Sequence, residues 1–271
     1  MSTKPLHFAS HERTGLVGVA GKVEVGADGS ERMPRLDLAD ITYTQTRVID
    51  VPQQVLERAR IVTGRNQDDP VANAYKVLRT QVLQRLVAHD WRTVAVVSPA
   101  AGEGKTLTAI NLAIHLASTR SHTALLVDAD WRRPSVHRYF GYTPTQDVYD
   151  CVRGQCSVEQ ALVNPGLPRF CVLPCREPVP DASEQLAGLG SFVKELGTRY
   201  ANRIVLFDLP PLLATDDAMS FLPLVDCALL VVEEGRTQRA DVVRSIELIG
   251  AERLLGTVLN KSSQTPAPAR Y

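Results

Sequence analysis

The stretch at 94–118, Val-Ala-Val-Val-Ser-Pro-Ala-Ala-Gly-Glu-Gly-Lys-Thr-Leu-Thr-Ala-Ile-Asn-Leu-Ala-Ile-His-Leu-Ala-Ser, constrains the fold more than any other part of this chain. An apolar run at Val94–Val97 turns through small residues and glycines into a helix-forming segment that opens with Lys105 and Thr106. That order of strand, turn and helix is the architecture of a phosphate-binding loop. Gly102 and Gly104 let the backbone bring successive N–H groups against phosphate oxygens, and the helix behind them points its positive end at the same anion. The expected cradle is Ala101, Gly102, Glu103, Gly104, Lys105, Thr106 and Leu107. Lys105 is placed to reach the β- and γ-phosphates of ATP, and the Thr106 hydroxyl to ligate Mg²⁺. The strict pattern asks for glycine at position 99, where this chain has Pro99. The donors that hold phosphate lie mainly on residues 101–106, so the chemistry survives that departure.

Short apolar runs recur after the loop and alternate with helical segments: Thr93–Val97, Ala124–Val127, Phe170–Leu173, Ile204–Phe207, Ala228–Val232 and Leu254–Leu259. Continuous apolar strands separated by helices predict an α/β fold, a mostly parallel β-sheet with helices on both faces. Ligands bind at the carboxyl ends of such strands. Upstream, residues 1–66 read as a mostly disordered arm, with a β-prone stretch at Ile41–Ile49 that could dock on the domain edge and a short helix within Pro52–Val62. A helix is expected over about Pro70–His89, with the stretch from Gly64 to Pro70 breaking the chain and supplying a cap and a proline at the first helical position. Val71, Ala74, Tyr75, Leu78, Val82 and Leu86 are expected to face the core. The domain proper is expected over 67–262, and 263–271 as a flexible tail.

Two further strand ends deliver carboxylates. Leu125-Leu-Val-Asp128-Ala-Asp130-Trp-Arg-Arg-Pro134 places two acids on alternate residues, which in extended chain project to one side. Ile204-Val-Leu-Phe-Asp208-Leu-Pro-Pro211 has the form of a Walker B strand, whose aspartate holds Mg²⁺ directly or through water. Either acidic end alone could be a solvated aspartate or a helix cap. Together with a phosphate loop they predict a P-loop NTPase with Thr106, Asp128 and Asp208 around the metal. Phosphoryl transfer to a hydroxyl also needs a group to take the proton. Asp128 is the candidate base, with Lys105 as the charge-neutralising catalytic group and Asp130 supporting the base or binding metal; the spacing does not separate the two aspartates.

This combination of motifs over about 67–262 resembles the bacterial tyrosine kinases of capsule and exopolysaccharide synthesis, the CpsD/CapB-type autokinases, which are related to the Min and Par ATPases. The resemblance implies an ATP- and Mg²⁺-dependent protein-tyrosine kinase, with Asp128 and Asp130 in the family's second acidic motif and Asp208 in Walker B. It implies that Asn260 lies where related ATPases read the adenine. It also implies a partner, a membrane-embedded polysaccharide chain-length regulator carried on a separate chain, and a cytoplasmic location at the inner face of the membrane reached through that partner. Two features depart from the family. Its first helix usually carries Glu-x-x-Arg-x-x-Arg for ring assembly, and Asn73, Lys76 and Arg79 stand there instead. Its tail usually ends in several tyrosines, whereas here Tyr271 alone is the candidate phosphoacceptor. A regulatory ATP-binding subunit without autokinase activity is therefore an alternative. A partition ATPase is another, but it would carry a second lysine at the position of Ala100.

Bulk properties narrow the partners. Lysine plus arginine equals aspartate plus glutamate, 30 each, so charge does not point to nucleic acid or to an anionic surface. The longest apolar runs fall far short of the ~20 residues of a membrane helix. Cys151, Cys156, Cys171, Cys175 and Cys227 are an odd number without zinc-type spacing, and read as reduced thiols, mostly buried.

Overall fold

β-branched, apolar strand sequences and the helices between them assemble as expected into one α/β layer structure. In a computed structural model of the chain, the described residues are 46–63, 69–179, 188–200 and 202–262, with the backbone of a short antiparallel pair, β1 (Glu24–Val25) and β2 (Glu31–Arg32). The remainder of the expected arm and the 263–271 tail lie outside the described residues. In chain order the other elements are β3 (Arg47–Val48), α1 (Gln53–Arg58), α2 (Pro70–His89), β4 (Thr93–Val97), α3 (Lys105–Ala117), β5 (Thr123–Asp128), α4 (Val136–Tyr139), α5 (Val148–Val152), α6 (Val158–Ala161), β6 (Val163–Asn164), β7 (Phe170–Leu173), α7 (Leu189–Thr198), β8 (Arg203–Asp208), α8 (Asp217–Phe221), β9 (Cys227–Glu233), α9 (Arg239–Ile249) and β10 (Leu254–Asn260).

Eight strands form a sheet in the order β10-β9-β4-β8-β5-β7-β6-β3. Every neighbouring pair is parallel except β6 with β7. The strand of the phosphate loop, β4, is central, and β8 separates it from β5. The order decides the function, because the carboxyl ends of β4, β8 and β5 become neighbours. Alternate residues of these strands feed two cores. Val94, Val96, Leu126 and Leu206 pack under α2 and α3, while Ala95, Val97, Leu125 and Phe207 pack under α5, α7 and α8. Both faces are covered, and so the strands read as unbroken apolar runs.

One expectation about the periphery is corrected. On α2 the buried residues are Ala72, Val82 and Leu86, whereas Val71 and Ala74 are exposed. The inward stripe begins one residue later than the bulky side chains suggested, because Ala72 adds too little apolar weight to reveal the face. The α2 start itself is as read, with the Asp69 carboxylate accepting from the Val71 N–H at 2.8 Å and Pro70 in the first turn. Of the expected arm, residues 46–63 are described, with β3 inside the stretch read as able to dock on the domain edge and α1 inside the stretch read as a short helix. Arg47–Val48 pairs with β6 at the sheet edge, and Val51, Leu56 and Ile61 are buried in the core beside α3. Asn111 of α3 holds this segment at both of its amide atoms, accepting from the Val62 N–H and donating to the Arg60 carbonyl. Apolar residues five apart match neither the helical nor the strand period, so the sequence shows the segment's elements but not the burial of these three side chains. Cys151, Cys171, Cys175 and Cys227 are buried, and Cys156 is half-buried. Among the described residues no helix is long and apolar enough to cross a membrane.

Candidate active site

The phosphate loop leaves β4 at Val97 and enters α3 at Lys105. Gly102 and Gly104 hold φ of +84° and +90°, a conformation that costs other residues and glycine little. At Gly104 the requirement is also spatial, since a Cβ there would lie 2.1 Å from Asn260 Nδ2. The Ser98 hydroxyl donates to the Ala100 carbonyl at 2.7 Å, and the Glu103 carboxylate accepts from the Ala100 N–H at 2.9 Å. The loop after β8 braces the same turn through Leu212 N–H to the Ser98 carbonyl, 2.8 Å. Of α3, every residue except Leu107 is buried, so the helix presents its first turn from a fixed position.

Lys105, Thr106, Asp130 and Asp208 meet at the mouth of that turn. Lys105 Nζ lies 2.9 Å from Asp130 Oδ2 and 3.3 Å from Asp208 Oδ1. The Thr106 hydroxyl donates to Asp208 Oδ2 at 2.6 Å. Burial opposes the Lys105 charge, but Asp208 and Asp130 outweigh it and hold its pKa above the ordinary lysine value. Burial likewise raises the Asp208 carboxyl, against the pull of Lys105 and of the Thr106 hydroxyl.

Asp128 sits behind this pair. It faces Asp208 across the β5–β8 register and is 0 % exposed. Its Oδ2 accepts from the Ser135 and Val136 N–H groups, each at 2.9 Å, while Oδ1 has no hydrogen-bond partner. Burial, with Asp208 alongside, pushes its carboxyl well above the usual aspartate range. The alternate spacing therefore brings both acids to one site but gives them different surroundings: Asp130 reaches the lysine, and Asp128 is anchored from behind.

Asn260, at the end of β10, donates its amide to the Glu103 carbonyl at 2.8 Å, so it is built into the phosphate loop. Two contacts left no trace in the sequence. Thr237, which follows β9, donates its hydroxyl to Glu103 Oε1 across 134 residues of chain. Arg132 pairs with Asp217 of α8 and ties the loop after β5 to the one after β8. Neither lies in a local pattern. Tyr271 lies outside the described residues.

No protein-family model matches the chain. Among curated proteins, it is 31% identical over 190 residues to the tyrosine-protein kinase YwqD of Bacillus subtilis, covering 69% of this chain and 79% of that one. The chain belongs to the bacterial tyrosine-protein kinases. It is also 31% identical over 185 residues to the succinoglycan biosynthesis transport protein ExoP of Rhizobium meliloti, covering 66% of this kinase but 23% of ExoP. Among solved structures, the kinase domain of the Escherichia coli tyrosine kinase ETK superposes with a TM-score of 0.68 at 22% identity, covering 83% of this chain and 94% of that one, which speaks for the fold. The nucleotide-binding architecture read from the loop is thus that of a kinase fold.

Proposed function

We propose that residues 67–262 carry an ATP- and Mg²⁺-dependent protein-tyrosine kinase activity that serves exopolysaccharide or capsule synthesis. The observation that supports this most is the meeting of Lys105, Thr106, Asp130 and Asp208 at three adjacent strand ends, in a chain of the tyrosine-kinase family. The loop N–H groups and Lys105 bind the phosphates, which compete with Asp130 and Asp208 for the lysine. Thr106, Asp208 and Asp128 would hold Mg²⁺. They fit it: all offer hard oxygen atoms, and Asp128 Oδ1 is buried with no partner. Among the described residues no three acidic, His or Cys side chains form a metal cage. When bound, the ion neutralises charge on the transferring phosphoryl group.

Asp128 takes the proton of the acceptor hydroxyl. Asp130 steers Lys105, and Asn260, beside the loop, flanks the adenine. The acceptor is Tyr271. The partner is a membrane-embedded chain-length regulator, which brings the kinase to the inner face of the membrane; without Glu-x-x-Arg-x-x-Arg, ring assembly is not part of this reading. Asp128→Asn tests the assignment: nucleotide affinity is retained and phosphotransfer falls by about 10²–10⁴-fold. Transfer at the unaltered rate would remove Asp128 from the mechanism.

A further inference from the structure

Three consecutive carbonyls of the phosphate loop each accept a side-chain donor from outside the loop. Ala101 O accepts from Arg236 Nη2 at 3.3 Å, Gly102 O from Lys261 Nζ at 2.8 Å, and Glu103 O from Asn260 Nδ2 at 2.8 Å. The two cations are themselves held together. Glu233 Oε2 accepts from Lys261 Nζ at 2.9 Å and from Arg236 Nη1 at 3.1 Å. Lys261 keeps this grip in a left-handed backbone conformation, φ +57°, which is unfavourable for a lysine and persists where surrounding contacts over-determine it. The hydrogen bonds from Lys261 and Arg236 keep the Glu233 carboxyl below the usual glutamate range.

Peptide planarity gives this cluster a consequence at the other side of the loop. In a trans peptide the carbonyl of one residue and the N–H of the next point in opposite directions. Drawing the carbonyls of Ala101, Gly102 and Glu103 toward Arg236, Lys261 and Asn260 turns the N–H groups of Gly102, Glu103 and Gly104 away from those side chains. Those are the donors of an anion cradle. A glycine-rich loop on its own is free to flip such peptides, because glycine accepts both signs of φ. Gly102 is where that freedom is greatest, and Lys261 and Arg236 grip the carbonyls on and beside it.

We propose that Arg236 and Lys261, coupled through Glu233, are positioning residues for phosphate binding: they hold the loop in its anion-accepting form before nucleotide arrives. They act through the loop backbone and touch no phosphate themselves. Both side chains are about half exposed, so replacing them leaves no buried cavity. The inference rests on the nucleotide reading above, and its test separates the two.

The measurement is calorimetric titration of the full chain with MgADP and, separately, with adenosine, for the unaltered protein and for Lys261→Met, Arg236→Met and Lys261→Arg. Losing one charged hydrogen bond to the loop is expected to weaken ADP by about tenfold in each methionine variant. Adenosine, which has no phosphate for the cradle, is expected to bind equally to all, and Lys261→Arg to recover most of the ADP affinity. Methionine variants that bind ADP as tightly as the unaltered chain overturn the clamp. So does an equal loss for ADP and adenosine, which would mean a general distortion. An unaltered chain that binds no ADP overturns the nucleotide reading and the clamp with it.

Discussion

Helices α2 and α3 lie against each other, yet they are built on opposite terms. In α3, thirteen residues long, only Leu107 escapes burial; in α2, twenty residues long, only Ala72, Val82 and Leu86 are fully buried. The difference follows from position. α3 springs from the central strand and is covered by α2 on its outer side, and its first turn carries Lys105 and Thr106. α2 overhangs it, at about 30 Å against about 20 Å of length, and its outer surface shows Val71, Val77 and Val87 to solvent. Where the chain must hold charged groups still, it surrounds the element that bears them. Elsewhere it leaves a surface.

The contrast breaks first at Lys105. Lys105→Met removes the cation between two buried carboxylates, and a buried pair robbed of one partner costs about 3–5 kcal/mol. Calorimetry should show a Tm several degrees lower and MgATP affinity lost by two orders of magnitude or more. An unchanged affinity would mean that the loop holds phosphate without its lysine. Next is Leu112→Ala in α3, where a fully buried side chain leaves a cavity worth about 2–5 kcal/mol. A chain of this size should lose roughly 5–15 °C of Tm, read by thermal unfolding.

A smaller effect comes from pH. Burial holds His115, His122 and His137 below the ordinary histidine value of 6.5. At these three sites the folded state binds fewer protons than the unfolded one, so their contribution to stability is present above that value and is lost as pH falls through it. Between pH 7.5 and 5.5 these three histidines act to lower the Tm, against Asp128 and Asp208, whose raised carboxyls favour the folded state as pH falls. His115, on α3 and stacked on Tyr75 of α2, feels the charges of Arg79, Lys76 and Asp69; His115→Gln should remove its share of the loss, so that the Tm of the variant falls less on acidification than that of the unaltered chain. The smallest effect is on the outer face of α2, where Val87→Ser should move stability by less than about 0.5 kcal/mol. A large loss there would show that α2 is covered in solution.

What could be read from the sequence follows the same division. The phosphate loop, the two acidic strand ends and the parallel sheet were legible because each is local: a strand period, a pair of glycines, a carboxylate at a known offset. The partners of those residues were not. Arg236, Thr237 and Lys261 meet the loop across more than 130 residues of chain, and only the placement of β9 beside β4, with β10 on its far side, brings them there. The spacing of Asp128 and Asp130 showed that they share a site, but the turn of Asp128 toward Ser135 and Val136 depends on where α4 begins. The packing of Val51, Leu56 and Ile61 had no period to reveal it.

The central claim is that this chain transfers phosphate from ATP to tyrosine through Asp128 in the site beside α3. Phosphotyrosine mapping by mass spectrometry, after the full chain is incubated with ATP and Mg²⁺, tests it most directly. The account predicts phosphate on Tyr271 of the unaltered chain and none on Asp128→Asn at the same nucleotide occupancy. Bound ATP with no phosphotyrosine in the unaltered chain, or equal labelling of both proteins, would contradict it.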